Sequence, residues 1–308
     1  MRICSCRPAH ITAPVALPGV NSMKIYELKN KIPEVLAYAR IVSKRHGHTE
    51  KYAKHIVALV IKQILHLTDR ELADFLSTND LGRILRYKKH FNYTIFSKVR
   101  KVAVNIVREL YEFIVYQKMK GRKIRLVAID STDVSAYSSK DKDARYGHRT
   151  PSKKEQRTLK DGTKTMFFGY KLHAITDAET EIPIAVEIAS ANRHDKTFFH
   201  RLYAMAKVAF HVHMNPDAKF LADSGYDSTD IYEELHHDNV KPVIAINGRG
   251  FYKSSIPKDF EYGKRWSIKR VFSRLKEVFG LSKNRFVGLE KVTVPIYSCL
   301  VAYLIKYM

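Results

Sequence analysis

The chain has 308 residues, 45% of them hydrophobic, enough to bury a core in one large domain or two ordinary ones, and this excludes a disordered polymer. Lys and Arg number 54 against 31 Asp and Glu, a net charge of +23. Charge of that size repels itself and usually answers a polyanion: nucleic acid is the leading partner, and a merely solvated basic surface is the alternative.

The first 22 residues contain no continuous apolar run, so no signal peptide is expected. Cys4, Cys6 and His10 lack both the CxxC spacing and the fourth ligand of a zinc site. Met23 opens a clean helical pattern, so residues 1–22 are expected to be a leader outside the folded protein. With Cys299 the cysteines total three, which fits a reducing cytoplasm and excludes a disulfide scaffold.

From Met23 to about Lys120 the pattern is helical almost throughout, the first of two expected domains (23–120 and 121–308). Thr68-Asp69-Arg70-Glu71 is a capping box that starts a helix through ELADFL. Ser77 to Asp80 and Gly82 break it. A second break, His90 to Tyr93, precedes a long helix expected from Thr94 to Met119. A short helix, a turn and a helix with Lys98, Arg100 and Lys101 near its start suit a major-groove reader. An ordinary bundle with a basic face would read the same way.

After Gly121 the period changes. Ile124–Ile129 is a β-rich run ending at Asp130, and Ser138 to Thr165 is polar and reads as a long loop. Strands are expected at Gly169–Thr176, Pro183–Ala189, Lys219–Ala222 and Pro242–Ile246, with helices at Thr197–Phe210 and Ser228–His236. The order is mixed α/β with a hairpin start and later crossovers. Tyr262 to Gly280 is a strongly basic amphipathic helix. Val292–Ile305, the longest apolar run, is shorter than the ~20 residues of a membrane span and reads as a terminal core helix.

Asp130 and Asp223 each end an expected strand, where a side chain emerges from a buried sheet on a rigid backbone. If those strands are neighbours the carboxylates converge, and such oxygen ligands hold Mg2+ or Mn2+. A metal pair of that kind serves phosphodiester cleavage. Strand-terminal turn residues are the plainer alternative.

The blocks DSTDVSA (130–136), FGYKLHAITD (168–177), ANRHD (191–195) and LADSGYDS (221–228) are followed by Tyr262, Arg265 and Lys276. Together, over roughly residues 40 to 305, they resemble the D-D-E transposases of insertion sequences, whose signature branch reads Y-x2-R-x3-E-x6-K. The resemblance implies a ribonuclease-H-like mixed sheet flanked by helices, preceded by an all-helical DNA-binding domain. It implies Mg2+ or Mn2+ on Asp130, Asp223 and a glutamate, acting on double-stranded DNA at terminal inverted repeats and target sites. A homodimer on DNA, a cytoplasmic nucleoid location and no membrane complete the expectation. Tyr262, Arg265 and Lys276 would hold the DNA strand, whereas a solvated basic face would carry the same residues.

The glutamate position is residue 269, and residue 269 is lysine. At 100° per residue, Arg265, Lys269 and Lys276 fall within about 40° and form one stripe beside the apolar face of Ile268, Phe272, Leu275 and Phe279. Glu277 lies roughly 12 Å along and some 80° around from Lys269, and Glu261 lies as far the other way, so neither is expected to replace the ligand. Ammonium has no lone pair to give a metal, so metal binding is expected to be weakened and cleavage impaired. The same scaffold could instead act as a non-catalytic DNA binder that inhibits an intact copy. A basic RNA-binding or ribosome-associated protein is the third class, against which the acidic strand ends and the signature spacing speak. His194-Asp195 is expected to shape a turn near the site, and Trp266 to pack or to stack on an unpaired base.

Overall fold

A computed structural model describes residues 25–48, 50–149, 165–210, 217–248 and 254–307. The expected leader, with Cys4, Cys6 and His10, lies outside the described residues.

The amino-terminal region is helical: α1 (Ile25–Arg45), α2 (Glu50–Leu65), α3 (Asp69–Thr78), α4 (Asp80–Ile84), α5 (Thr94–Arg100) and α6 (Ala103–Met119). The capping box before α3 forms: Thr68 Oγ1 accepts the Glu71 N–H, and Glu71 Oε2 accepts the Thr68 N–H at 2.6 Å. The long helix expected from Thr94 is two helices. Lys101 and Val102 separate α5 from α6, and each helix buries residues of its own, Phe96 and Val99 in the first and Ile106 and Leu110 in the second.

Six strands make one mixed sheet: β1 (Leu126–Ser135), β2 (Arg145–Arg149), β3 (Thr165–Asp177), β4 (Pro183–Ser190), β5 (Lys219–Ala222) and β6 (Lys241–Ile244). β3 pairs antiparallel with β1 on one edge, and with β4 and β2 in succession on the other. β1 continues parallel to β5, and β5 parallel to β6. An antiparallel β1–β3–β4 meander joined to parallel β5 and β6 is the ribonuclease-H-like arrangement. Helices α7 (Phe199–Phe210), α8 (Thr229–His237), α9 (Trp266–Glu277) and α10 (Leu289–Tyr307) flank it.

Three expectations are corrected here. The first strand does not end at Asp130 but runs on to Ser135, because β3 is long enough to pair with it down to Gly169. The polar stretch after Ser138 is not all loop: Arg145–Arg149 adds β2 to the free edge of β3, a pairing that depends on β3 and not on any apolar period of its own. The last strand stops at Ile244, and Ile246 makes only an isolated bridge to Ser255.

Gly169 pairs with Ser135 at the end of the β1–β3 ladder. A Cβ there would lie 2.3 Å from the Val134 carbonyl oxygen and 2.8 Å from the Ala136 nitrogen, so only glycine lets the backbones approach. Helix α10 is buried along most of its length and packs on α2 and α6 as well as on β4 and α9. The helical region and the sheet therefore share one hydrophobic core, from Leu28 to Ile305. Among the described residues no helix is long and apolar enough to cross a membrane.

Candidate active site

Asp130 lies within β1 opposite Ala174, and Asp223 follows the last residue of β5. Because β1 and β5 are parallel neighbours, the two carboxylates are close enough to repel. The Asp130 carboxyl is pushed up to about 6, first by burial and then by the Asp223 charge, while Lys269, the Ser131 N–H and Arg265 pull it back. Its Oδ1 accepts the Ser131 N–H at 2.8 Å, and Asp223 Oδ1 accepts the Gly225 N–H at 2.9 Å.

The stretch from Tyr262 onward does not form one helix. Residues Phe260–Arg265 make a tight 3-10 turn, and α9 starts at Trp266. The cause is Glu261, a buried residue that pairs with Arg125 at 2.8 Å, Lys219 at 2.9 Å and Lys264 at 3.0 Å. Lys219 begins β5 and Arg125 immediately precedes β1, so this clamp grips the end of the sheet opposite the aspartates. Three cations hold the Glu261 carboxyl down to about 2. Glu261 is thus occupied as a structural anchor, and Glu277 is exposed at the far end of α9.

From that anchor Arg265 projects to the aspartates. Its Nη1 is 3.8 Å from Asp130 Oδ2, and its guanidinium lies 5.4 Å from the Tyr262 ring centroid. The side chain is only 11% exposed, yet Nε and Nη1 find no hydrogen-bond partner among the described residues. Lys269 acts on Asp130 through its charge and rests its ammonium 4.8 Å from the ring centroid of Trp266, a side chain largely open to solvent. Lys276 pairs with Asp133 of β1 at 2.8 Å. Ile268, Phe272, Leu275 and Phe279 are buried as the helical stripe required.

Tyr226, which the sequence reading did not single out, and Asp195, expected there to shape a turn near the site, complete the surroundings. The buried Tyr226 hydroxyl feels Asp195, Asp130 and Asp223 and has no hydrogen-bond partner among the described residues. Asp195 opens the 3-10 turn before α7, accepts from Lys171 Nζ at 2.8 Å and lies 3.8 Å from His173 Nδ1. Burial holds His173 neutral, lowering it to about 4. Tyr226 belongs to the LADSGYDS block and Asp195 to ANRHD, so the signal was the text of the blocks rather than any period.

The basic residues proposed for the groove-reading helix separate. Lys98 and Lys101 are exposed, whereas Arg100 is half-buried and committed to an ion pair with Asp69. Arg100 is therefore unsuited to a surface contact of the kind expected for it.

A divalent-metal centre can be tested against this donor set. Asp130 faces Arg265 at 3.8 Å and feels the charge of Lys269, so two cations already stand beside the carboxylate pair. Among the described residues no three His, Cys, Asp or Glu side chains are grouped to hold a metal ion. The residues present do not fit a two-metal centre.

A meander-plus-parallel sheet with paired aspartates and a basic helix packed on its interior strands β1 and β3 is a fold of ribonuclease-H type. The model of the transposase DDE domain matches residues 121–305, more than half of the chain, and the chain belongs to that family. A solved structure described as a piggyBac transposase synaptic complex with hairpin DNA is similar at 11% identity, covering 90% of this chain and 72% of that one. Its TM-score is 0.44. No curated protein sequence matches.

Proposed function

We propose that this chain binds the terminal inverted repeats of a mobile DNA element and that Lys269 impairs its ability to cut them. The observation that carries the reading is the composition of the site: Asp130, beside Asp223, stands opposite Arg265 and Lys269, and two buried Arg265 donors have no hydrogen-bond partner among the described residues. Unpaired guanidinium N–H groups in a half-closed site are suited to a phosphate oxygen. The +23 chain supplies the long-range attraction. A glutamate at 269 would leave the site with a net negative charge and a third oxygen donor. Lysine swings that charge by two units and offers no lone pair while protonated.

The same site favours a second reading, in which the protein occupies repeat ends without cutting them and so inhibits an intact copy, alone or in mixed dimers. A mobility-shift comparison of terminal repeats with random DNA across salt concentrations tests the binding. Affinity for repeats equal to that for random DNA at every salt would remove the specific part of the reading. Incubating the protein alone with terminal repeats and a divalent metal separates the two readings, since only the impaired enzyme leaves residual cleavage.

A further inference from the structure

A cavity of about 550 Å³ lies between the helical region and the segment that follows α9. Its walls come from the end of α2, the start of α3, residues 280–286 and the middle of α10. Helix α9 is about 18 Å long, with Arg265 and Asp130 near its start and this cavity beyond its end. The cavity is therefore separate from the aspartate pair.

Its lining is strongly cationic. Lys62, Arg70, Arg100, Lys283 and Arg285 face it against a single carboxylate, Asp69. Asp69 is already committed, since Lys62 pairs with it at 2.7 Å and Arg100 pairs with it as well. Four positive charges thus remain in excess on one cavity, an arrangement that calls for an anion.

The cavity is not a bare phosphate site. Two arginine–aromatic pairs stand in its walls: Arg70 lies 5.1 Å from the Tyr93 ring centroid, and Arg100 lies 5.0 Å from that of Phe286. Leu281, Pro295 and Ile296 supply an apolar floor. Flat cation–aromatic surfaces beside an apolar floor suit a planar base, and the surplus charge suits the phosphate attached to it.

We propose that this cavity binds an unpaired nucleotide, with the base among Tyr93, Phe286 and the apolar floor and the phosphate against Arg70, Lys283 and Arg285. The nucleotide would come from the DNA held by the protein, or be free in solution. The first source rests on the DNA-binding reading above.

The test uses the full-length protein and two short duplexes, one fully paired and one with 2-aminopurine in a single-nucleotide bulge. Fluorescence anisotropy at fixed salt should show tighter binding of the bulged duplex, by about 5-fold or more, the gain expected from stacking one base. The 2-aminopurine emission should fall on binding. Tyr93→Ala and Phe286→Leu should each abolish the preference and restore the emission, while affinity for the paired duplex stays unchanged. Tyr93 is exposed, so its variant tests the cavity even if Phe286→Leu were to fold poorly. Added dAMP distinguishes the sources: erasing the preference assigns the cavity to free nucleotides as well, and leaving it intact assigns it to the nucleotide of the DNA. Equal binding of both duplexes, or a preference that survives both variants, overturns the proposal and leaves the DNA-binding reading standing. Failure to bind either duplex overturns both.

Discussion

At the scale of single residues, Asp130 carries a pH signature. Its carboxyl titrates at about 6 when folded against an ordinary 3.8, so between those values the folded state binds the proton more tightly than the unfolded chain. Stability then falls as pH rises through that window. Asp130→Asn should be more stable than the parent at pH 7, by up to about 3 kcal/mol. The gain should vanish below pH 4, as urea denaturation at the two pH values would show. An equal difference at both would mean that the carboxyl is not strained by burial and Asp223. The pair itself was legible from the sequence, because each aspartate follows an apolar β run. The continuation of β1 past Asp130 was not, since it depends on the length of β3, a distant partner. Nor could any local pattern show that the Tyr226 hydroxyl turns toward the pair, because the short 3-10 turn after Asp223 brings it there.

At the scale of elements, the helix that faces the aspartates is set by its anchor. Glu261→Gln removes the charge shared by Arg125, Lys219 and Lys264. Breaking a buried ion network costs about 3 kcal/mol, and hydrogen exchange should quicken in the first turn of α9 before the sheet responds. The Glu261 carboxyl is depressed to about 2, so its contribution is fully present above the ordinary glutamate range and is lost as pH falls toward 2. A parent and variant of equal stability at pH 7 would show that the clamp is incidental. Gly169→Ala tests the sheet in the same way. The added methyl would meet the Val134 carbonyl, and unfolding should become easier by about 2 kcal/mol or more. The amphipathic stripe of α9 could be read directly from 100° spacing. The 3-10 turn at its start could not, because the partners of Glu261 lie on the β1 and β5 ends.

At the scale of the whole molecule, the excess of 23 positive charges should dominate association. If about 6–10 phosphates are contacted, affinity for DNA should fall by about 10³–10⁵ between 50 and 200 mM salt. A shallow salt dependence would turn the charge into simple solubility. The helical region, the mixed sheet and the family blocks were all visible in the sequence as composition and spacing. Their fusion through α10 into one core was not, because an apolar terminal helix carries no label for its partners. The central claim is that Lys269, and not the rest of the scaffold, limits strand cleavage. The most direct measurement compares the parent with Lys269→Glu on the terminal inverted repeats of the element, with Mg2+ or Mn2+ present and chelated. The account predicts cleavage near background for the parent and clear metal-dependent cleavage for Lys269→Glu, with repeat binding retained by both. Robust and equal cleavage by the two proteins would contradict it.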